Sequence, residues 1–235
     1  MISLIIPAHD EAEIIESAIR AASSAANEMR EAFEVIVVDD ASTDSTASIA
    51  GAAGARVIKI TARQIAGARN AGAAAARGEM LIFVDADTLV NAAVVRAAVE
   101  AMRGGALGGG AHVKFDEPIP GYVKALWRVG MGWGRLMRWS AGCFMFCTRE
   151  AFDAVGGFDP TLFAGEEIAL SRALGKRGRF VILRESVLTS GRKMRTHSAW
   201  EIVGAFLAVA VGGMGALRDR SRLGLWYGPR RKDPA

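Results

Sequence analysis

Four short apolar runs mark the first part of the chain, and each stops at a polar turn. Ile2–Ile6 is closed by Pro7, Glu34–Val38 by Asp39-Asp40, Arg56–Ile60 by Thr61 and Glu79–Val84 by Asp85-Ala86-Asp87. Runs of this length, rich in β-branched residues, read as strands buried on both faces. The stretches between them read as helices. One runs from Asp10, its expected N-cap, to about Met29, with Glu11 and Glu13 favourable in the first turn. A second follows the Ser/Thr/Asp cluster at 41–46 and ends at Gly51 or Gly54. A third is the Ala-rich stretch Gln64–Arg77, ended by Gly78. Strands alternating with helices in this way predict an α/β fold whose sheet is parallel, with right-handed crossovers.

The alternation weakens after Asp87, which predicts a mixed second half. Asn91–Met102 reads as a helix. Five glycines between Gly104 and Gly110 read as a turn into an edge strand near Ala111–Phe115. Pro118–Arg138 is amphipathic and aromatic, with Tyr122, Trp127 and Trp133 and, just beyond, Trp139. A strand at Cys143–Thr148 leads into a short helix, Arg149–Val155, stopped by Gly156-Gly157, and then a turn at Phe158-Asp159-Pro160. Glu166–Gly175 is a helix opening on two glutamates. Phe180–Leu183, with Val187-Leu188, is the last strand. Ile202–Leu217 holds 16 residues without a charge. A membrane span needs roughly 20 apolar residues, so a packed or interfacial helix is expected, with Trp200, Trp226 and the basic tail as anchors.

At 235 residues, 51% of them hydrophobic and 23% charged, the chain fits one large domain with a short appendage. The division expected is 1–195, with halves at 1–90 and 91–195, followed by 196–235. The net charge of +4 is uneven. Arg184–Ala235 carries 10 Lys/Arg against 4 Asp/Glu, while the remainder has 19 against 21. A basic tail beside an apolar segment suits an anionic membrane surface, or it is simply solvated. No aromatic interleaving on a recognisable module points to nucleic acid. Cys143 and Cys147 fall on one strand, about 13 Å apart at ~3.3 Å per residue, too far to pair. Two cysteines and three histidines make no zinc pattern. Reduced thiols and the absence of a signal peptide lead to the expectation of a cytoplasmic protein, peripheral at most on the inner face of the membrane.

Asp85 and Asp87 are two apart at a strand's end, so they leave it on one side. In open α/β sheets ligands bind at the carboxyl ends of the strands. Paired anions there ask for a cation, and a hard divalent ion bridging to phosphates suits them. The bland reading is a strand-end turn that caps the next helix. Other candidates fall at the same sheet edge. Pro7, His9 and Glu11 follow the first strand. Asp39 or Asp40 could accept from a nucleobase N–H, or cap the helix after Ser42. Arg69 could reach phosphate, or pair with an acid. Glu166 or Glu167 could act as base, or serve only the positive end of a helix. Neither a Walker-type phosphate loop nor a G-x-G-x-x-G follows the first strand, which disfavours a P-loop NTPase and a dinucleotide oxidoreductase.

Six pieces in order carry a family resemblance: Ile5–Glu11, Val37–Asp44, Ala68-Arg69-Asn70-Ala71-Gly72, Phe83–Asp87, Phe152–Asp159 and Gly165–Leu170. Over roughly residues 1–190 the chain resembles a family 2 glycosyltransferase of GT-A fold. The resemblance implies a Rossmann-like three-layer sandwich with a mostly parallel central sheet. It implies transfer of a hexose from a UDP- or GDP-sugar to a hydroxyl acceptor, lipid-linked in some members, with inversion and with Mg²⁺ or Mn²⁺. Pro7, Ala8, His9, Glu11, Asp39, Asp40, Arg69, Asp85 and Ala86 would hold the nucleotide. Asp87 would stand nearest the metal, with Asp85 nearer the ribose. Glu167 would be the catalytic base where many members carry Asp, a change that moves the carboxylate by about an ångström and leaves Glu166 in contention. The Q-x-x-R-W motif of processive synthases is missing, so a single addition is expected. Two other classes compete. A sugar nucleotidyltransferase would carry a Gly- and Arg-rich loop after the first strand, and a non-catalytic nucleotide-binding protein would lack the base.

Overall fold

The first apolar run becomes the middle of a sheet. In the computed structural model, β1 (Ile2–Ala8) lies between β2 (Phe33–Asp40) and β4 (Met80–Val84), parallel to both, and β3 (Arg56–Ile60) flanks β2. The residues described are 1–116, 119–121, 124, 132, 139–198, 200–201 and 217–227. Beyond β4 the sheet turns mixed. β7 (Phe144–Thr148) is antiparallel to β4, β6 (Gly108–Phe115) is antiparallel to β7, and β8 (Phe180–Thr189) runs parallel to β6. A two-residue strand after the acid pair, β5 (Thr88–Leu89), closes on β8. Among the described residues the order is β3-β2-β1-β4-β7-β6-β8-β5.

Helices cover both faces, as continuous apolar strands require. Ile2, Leu4 and Ile6 share one core with α1 (Ile15–Asn27) and α4 (Ala92–Arg103). Ile5 faces the other core, with α3 (Ile65–Ala75), α5 (Arg149–Val155) and α6 (Glu166–Arg177). All four aliphatics of β1 are fully buried, each worth about 1.5–3 kcal/mol. On the α3 side Phe83, Phe152 and Phe158 interlock, with Phe83 and Phe158 edge-on at 5.0 Å. The expected three-layer sandwich is therefore present, parallel in its first half and mixed in its second.

Local expectations differ at several places. Asp10 does not cap α1. It sits at φ 50, its carboxylate accepts from Thr43 N at 2.7 Å, and α1 begins at Ile15 with no side-chain cap. The glycine run does not lead to an edge strand. Gly108–Gly110 are the first residues of β6, inside the sheet, where a Cβ at Gly108 would stand 2.8 Å from Phe146 O and one at Gly109 would overlap Val181 O. Small residues are required there by close backbone approach, not by a turn. The last strand is a single one of ten residues. Cys143 and Cys147 are both free.

Two further elements follow β8: α7 (Arg192–Thr196) and, past a 3₁₀ turn at Arg220–Arg222, α8 (Gly224–Tyr227). Tyr122, Trp127, Trp133, most of the apolar segment 202–217 and the tail 228–235 lie outside the described residues. No described helix is long and apolar enough to cross a membrane. Trp139 is half-buried under the Arg172 guanidinium at 4.5 Å, while Trp200 is 85% exposed.

Candidate active site

Parallel strands deliver their last residues to one edge, and the turns that follow β1 and β2 are tied to each other. Asp10 N donates to Ser42 Oγ at 3.0 Å, Glu11 N to Thr46 Oγ1 at 2.8 Å and Ala12 N to Asp44 Oδ2 at 3.0 Å. Burial works against the Asp44 charge, but bonds from Thr46 and Ala12 outweigh it and hold this carboxyl below its ordinary range. Asp39 accepts from Ser42 N at 3.2 Å. Asp40 accepts from Arg63 N at 2.7 Å and Gln64 N at 2.8 Å, which fixes the entry to α3. His9 Nδ1 is 2.8 Å from Asp40 O, and its Nε2 is 3.0 Å from Asp10 Oδ2 and in contact with Arg63.

The result is a cavity of about 390 Å³ at the carboxyl ends of β1, β2 and β4. Eight of the sequence candidates line it: Pro7, Ala8, His9, Glu11, Asp40, Asp85, Ala86 and Asp87. A second cavity of about 360 Å³ shares Asp10, Glu11, Ala86 and Asp87 and extends to Asp44, Asp116 and Arg192. Asp87 therefore stands where the two meet. Arg192 reaches back to Glu11 at 3.3 Å, tying α7 to the turn after β1. Asp116 anchors the same helix through Arg195 Nη1 at 2.7 Å.

Four candidates do not line either cavity: Asp39, Arg69, Glu166 and Glu167. Arg69 is 2% exposed, and both of its terminal nitrogens are committed while the buried Nε is left without a partner. It donates to Asp85 Oδ1 at 2.8 Å, to Glu166 Oε1 at 2.9 Å and to Gly142 O at 2.7 Å, and it lies over the Phe158 ring at 5.2 Å. Of the two sequence readings of Arg69, pairing with acids is the one observed, and it pairs with two. Glu166 is buried in that pair. Glu167 is half-buried beside Gly142. Burial, then the Glu166 charge, push its carboxyl up to about 8 against the pull of Arg69. Burial and the charges of Asp85 and Asp87 likewise push the Cys143 thiol well up, so it stays a thiol.

Could this edge hold a metal? No group of three or more His, Cys, Asp and Glu side chains suited to an ion occurs among the described residues. Asp85 has one oxygen on Arg69, and Asp87 Oδ1 lies 3.5 Å from Thr88 Oγ1 and 3.4 Å from Thr189 Oγ1. Hard divalent ions of the Mg²⁺ kind are bound by one or two carboxylates plus waters and phosphate oxygens, without an all-protein cage. Two carboxylates at a cavity floor fit an ion that arrives with a diphosphate.

The model of the family described as "Glycosyl transferase family 2" matches residues 3–164. The chain belongs to glycosyl transferase family 2. No curated protein matches its sequence. Among solved structures, the glycosyltransferase fold, GT-A, recurs. The mannosyltransferase PcManGT of Pyrobaculum calidifontis, solved with GDP-Man and Mn²⁺, is 18% identical, with TM-score 0.69 over 93% of this chain and 64% of that one. TarS 1–349 of S. aureus is 17% identical, with TM-score 0.63 over 96% and 70%. Glucosyl-3-phosphoglycerate synthase of Mycobacterium tuberculosis, with Mn²⁺ and UDP-glucose, is 20% identical, with TM-score 0.61 over 92% and 79%. At these identities the likeness is one of fold.

As a family 2 glycosyltransferase, the chain brings to its cavity residues that no motif announces. Arg63 and Gln64 arrive through their backbone bonds to Asp40. Arg220 and Tyr227 arrive from the C-terminal segment. An acid at the end of β2 facing the start of α3 was a usable signal for the first two. Nothing in the local pattern signals the last two.

Proposed function

We propose that this family 2 glycosyltransferase is an inverting, metal-dependent enzyme that moves one sugar from a UDP- or GDP-sugar to a hydroxyl acceptor. The observation that carries the reading is the meeting of Asp85 and Asp87 with the ends of β1 and β2 in one cavity. Neighbours of the same fold bind UDP, UDP-sugar or GDP-Man, two of them with Mn²⁺. Pro7, Ala8, His9 and Asp40 would hold the nucleoside, with Asp85 toward the ribose and Ala86 between the acids. Mg²⁺ or Mn²⁺ on Asp87 and Asp85 would neutralise charge on the leaving diphosphate.

In the transfer the acceptor hydroxyl oxygen forms the new bond to the anomeric carbon. The bond from that carbon to the diphosphate oxygen breaks, and its electron pair leaves with the diphosphate. The acceptor proton goes to a carboxylate, and Glu167 is the better choice because Glu166 is consumed by Arg69. Arg69 holds Asp85 and the start of α6 in fixed relation. The unit 1–195 carries most of the site and is joined at the cavity by Arg220 and Tyr227 of the part 196–235, whose exposed Trp200 and basic tail suit an anionic membrane surface, where a lipid-linked acceptor would lie.

A thermal-shift panel of UDP- and GDP-sugars with Mn²⁺ tests the donor. A specific donor raises the melting temperature by mass action. No shift with any of them, with or without metal, would overturn the reading.

A further inference from the structure

The family match ends at residue 164, yet residues 217–227 return to the cavity. The return is anchored in the fold. Leu217 O accepts from Phe163 N at 2.8 Å, Leu223 is 1% exposed, and Tyr227 meets the Phe163 ring edge-on at 5.7 Å. The Tyr227 oxygen is buried beside the Ile65 N–H, outside hydrogen-bonding geometry. The ring is thus placed by packing rather than by its hydroxyl. Arg220 lies over its face at 4.9 Å, and both side chains line the cavity.

The cations of this cavity are not equivalent. Arg63 is in contact with His9. Arg192, of the adjoining cavity, is paired with Glu11. Arg220 and Lys193, which α7 adds to the same wall, form no ion pair with any described carboxylate, and of the two Arg220 is the one that an aromatic face holds in place. A guanidinium stacked on a ring keeps its N–H edge available, and that edge matches a phosphate. Holding an unpaired cation in a wall shared with Asp40, Asp85 and Asp87 is sensible if an anion comes to meet it. We infer that Arg220, carried on Tyr227, is a binding residue for the diphosphate of the donor, supplied by the C-terminal segment rather than by the part of the chain that the family shares. This rests on the donor reading above.

The test measures binding of UDP and GDP, and of uridine and guanosine, to the full chain with Mn²⁺ by calorimetry. For the base that wild type binds, Arg220→Ala should weaken the diphosphate by at least about tenfold and leave the nucleoside within about twofold. Arg220→Lys should recover part of the loss, and Tyr227→Phe should bind as wild type, because the ring and not the hydroxyl carries Arg220. Equal losses for nucleoside and diphosphate would make the segment a packing element and overturn the inference. So would undiminished diphosphate binding by Arg220→Ala. If wild type binds no nucleoside diphosphate, the donor reading itself falls, and this inference falls with it.

Discussion

Arg69 Nη2 lies 2.8 Å from Asp85 Oδ1 while Nη1 of the same guanidinium lies 2.9 Å from Glu166 Oε1. One buried side chain on α3 therefore ties the acid at the end of β4 to the first residue of α6. The charge balance of the site depends on it, because Arg69 is the cation paired with the buried Glu166 among the described residues.

Removing that cation should be costly. Arg69→Leu leaves Glu166 as a buried charge without its partner, and such a loss costs about 3–5 kcal/mol. Urea unfolding should show it as a lower midpoint with little change in slope. Adding Glu166→Leu to Arg69→Leu should recover part of the stability, since the stranded charge is then gone.

Glu167 makes stability depend on pH in a definite direction. Its folded value is raised to about 8 from the ordinary glutamate value of 4.5. Between those values the folded state keeps a proton that the unfolded state has lost, so stability falls as pH rises through the window and levels off above it. Below 4.5 both states are protonated and this group contributes no slope. Glu167→Gln should flatten the dependence between pH 5 and 8, by about the contribution of one group. If Glu167 is the base, kcat/KM of wild type rises with pH toward about 8, and the Gln variant binds donor without transferring sugar.

Asp87→Ala should separate chemistry from folding. The side chain stands where the two cavities meet, and its hydrogen bonds to Thr88 and Thr189 are long, so stability should change by only about 1 kcal/mol. Transfer should drop by on the order of 10²-fold or more, with loss of the Mn²⁺-dependent part of UDP or GDP binding. Retention of metal-dependent binding would remove Asp87 from the metal.

Gly72 allows α3 to approach the sheet. A Cβ there would overlap Ile5 Cγ2 and stand 2.9 Å from Val38 Cγ2, both buried. Gly72→Ala should cost about 1–3 kcal/mol by overpacking, although Ala is the better helix former. Gly51→Ala, with open space around it on α2 (Thr46–Ala52), should be neutral or slightly stabilising, and comparing the two by thermal unfolding separates packing from propensity.

Much of the first half was legible in the chain. Ile2–Ile6, Glu34–Val38 and Glu79–Val84 are apolar without alternation because both faces of those strands are covered, and parallel strands must then end at one edge. Pro7, His9, Asp40, Asp85 and Asp87 could be placed together on that logic alone. Tertiary structure decided what local pattern does not encode. Asp10 looked like a helix cap, but its carboxylate found the Thr43 N–H across the turn. Gly108–Gly110 looked like a turn, but the backbone of β7 and β8 demanded the lack of a side chain at Gly108 and Gly109, and Ser140 demanded it at Gly110. Arg69 has no periodicity that reveals its partners, since Asp85 and Glu166 lie 16 and 97 residues away. Arg220 and Tyr227 were invisible for the same reason. Alternation and caps are written into neighbouring residues, whereas a cavity wall is made by whichever segments the packed core brings to the same place.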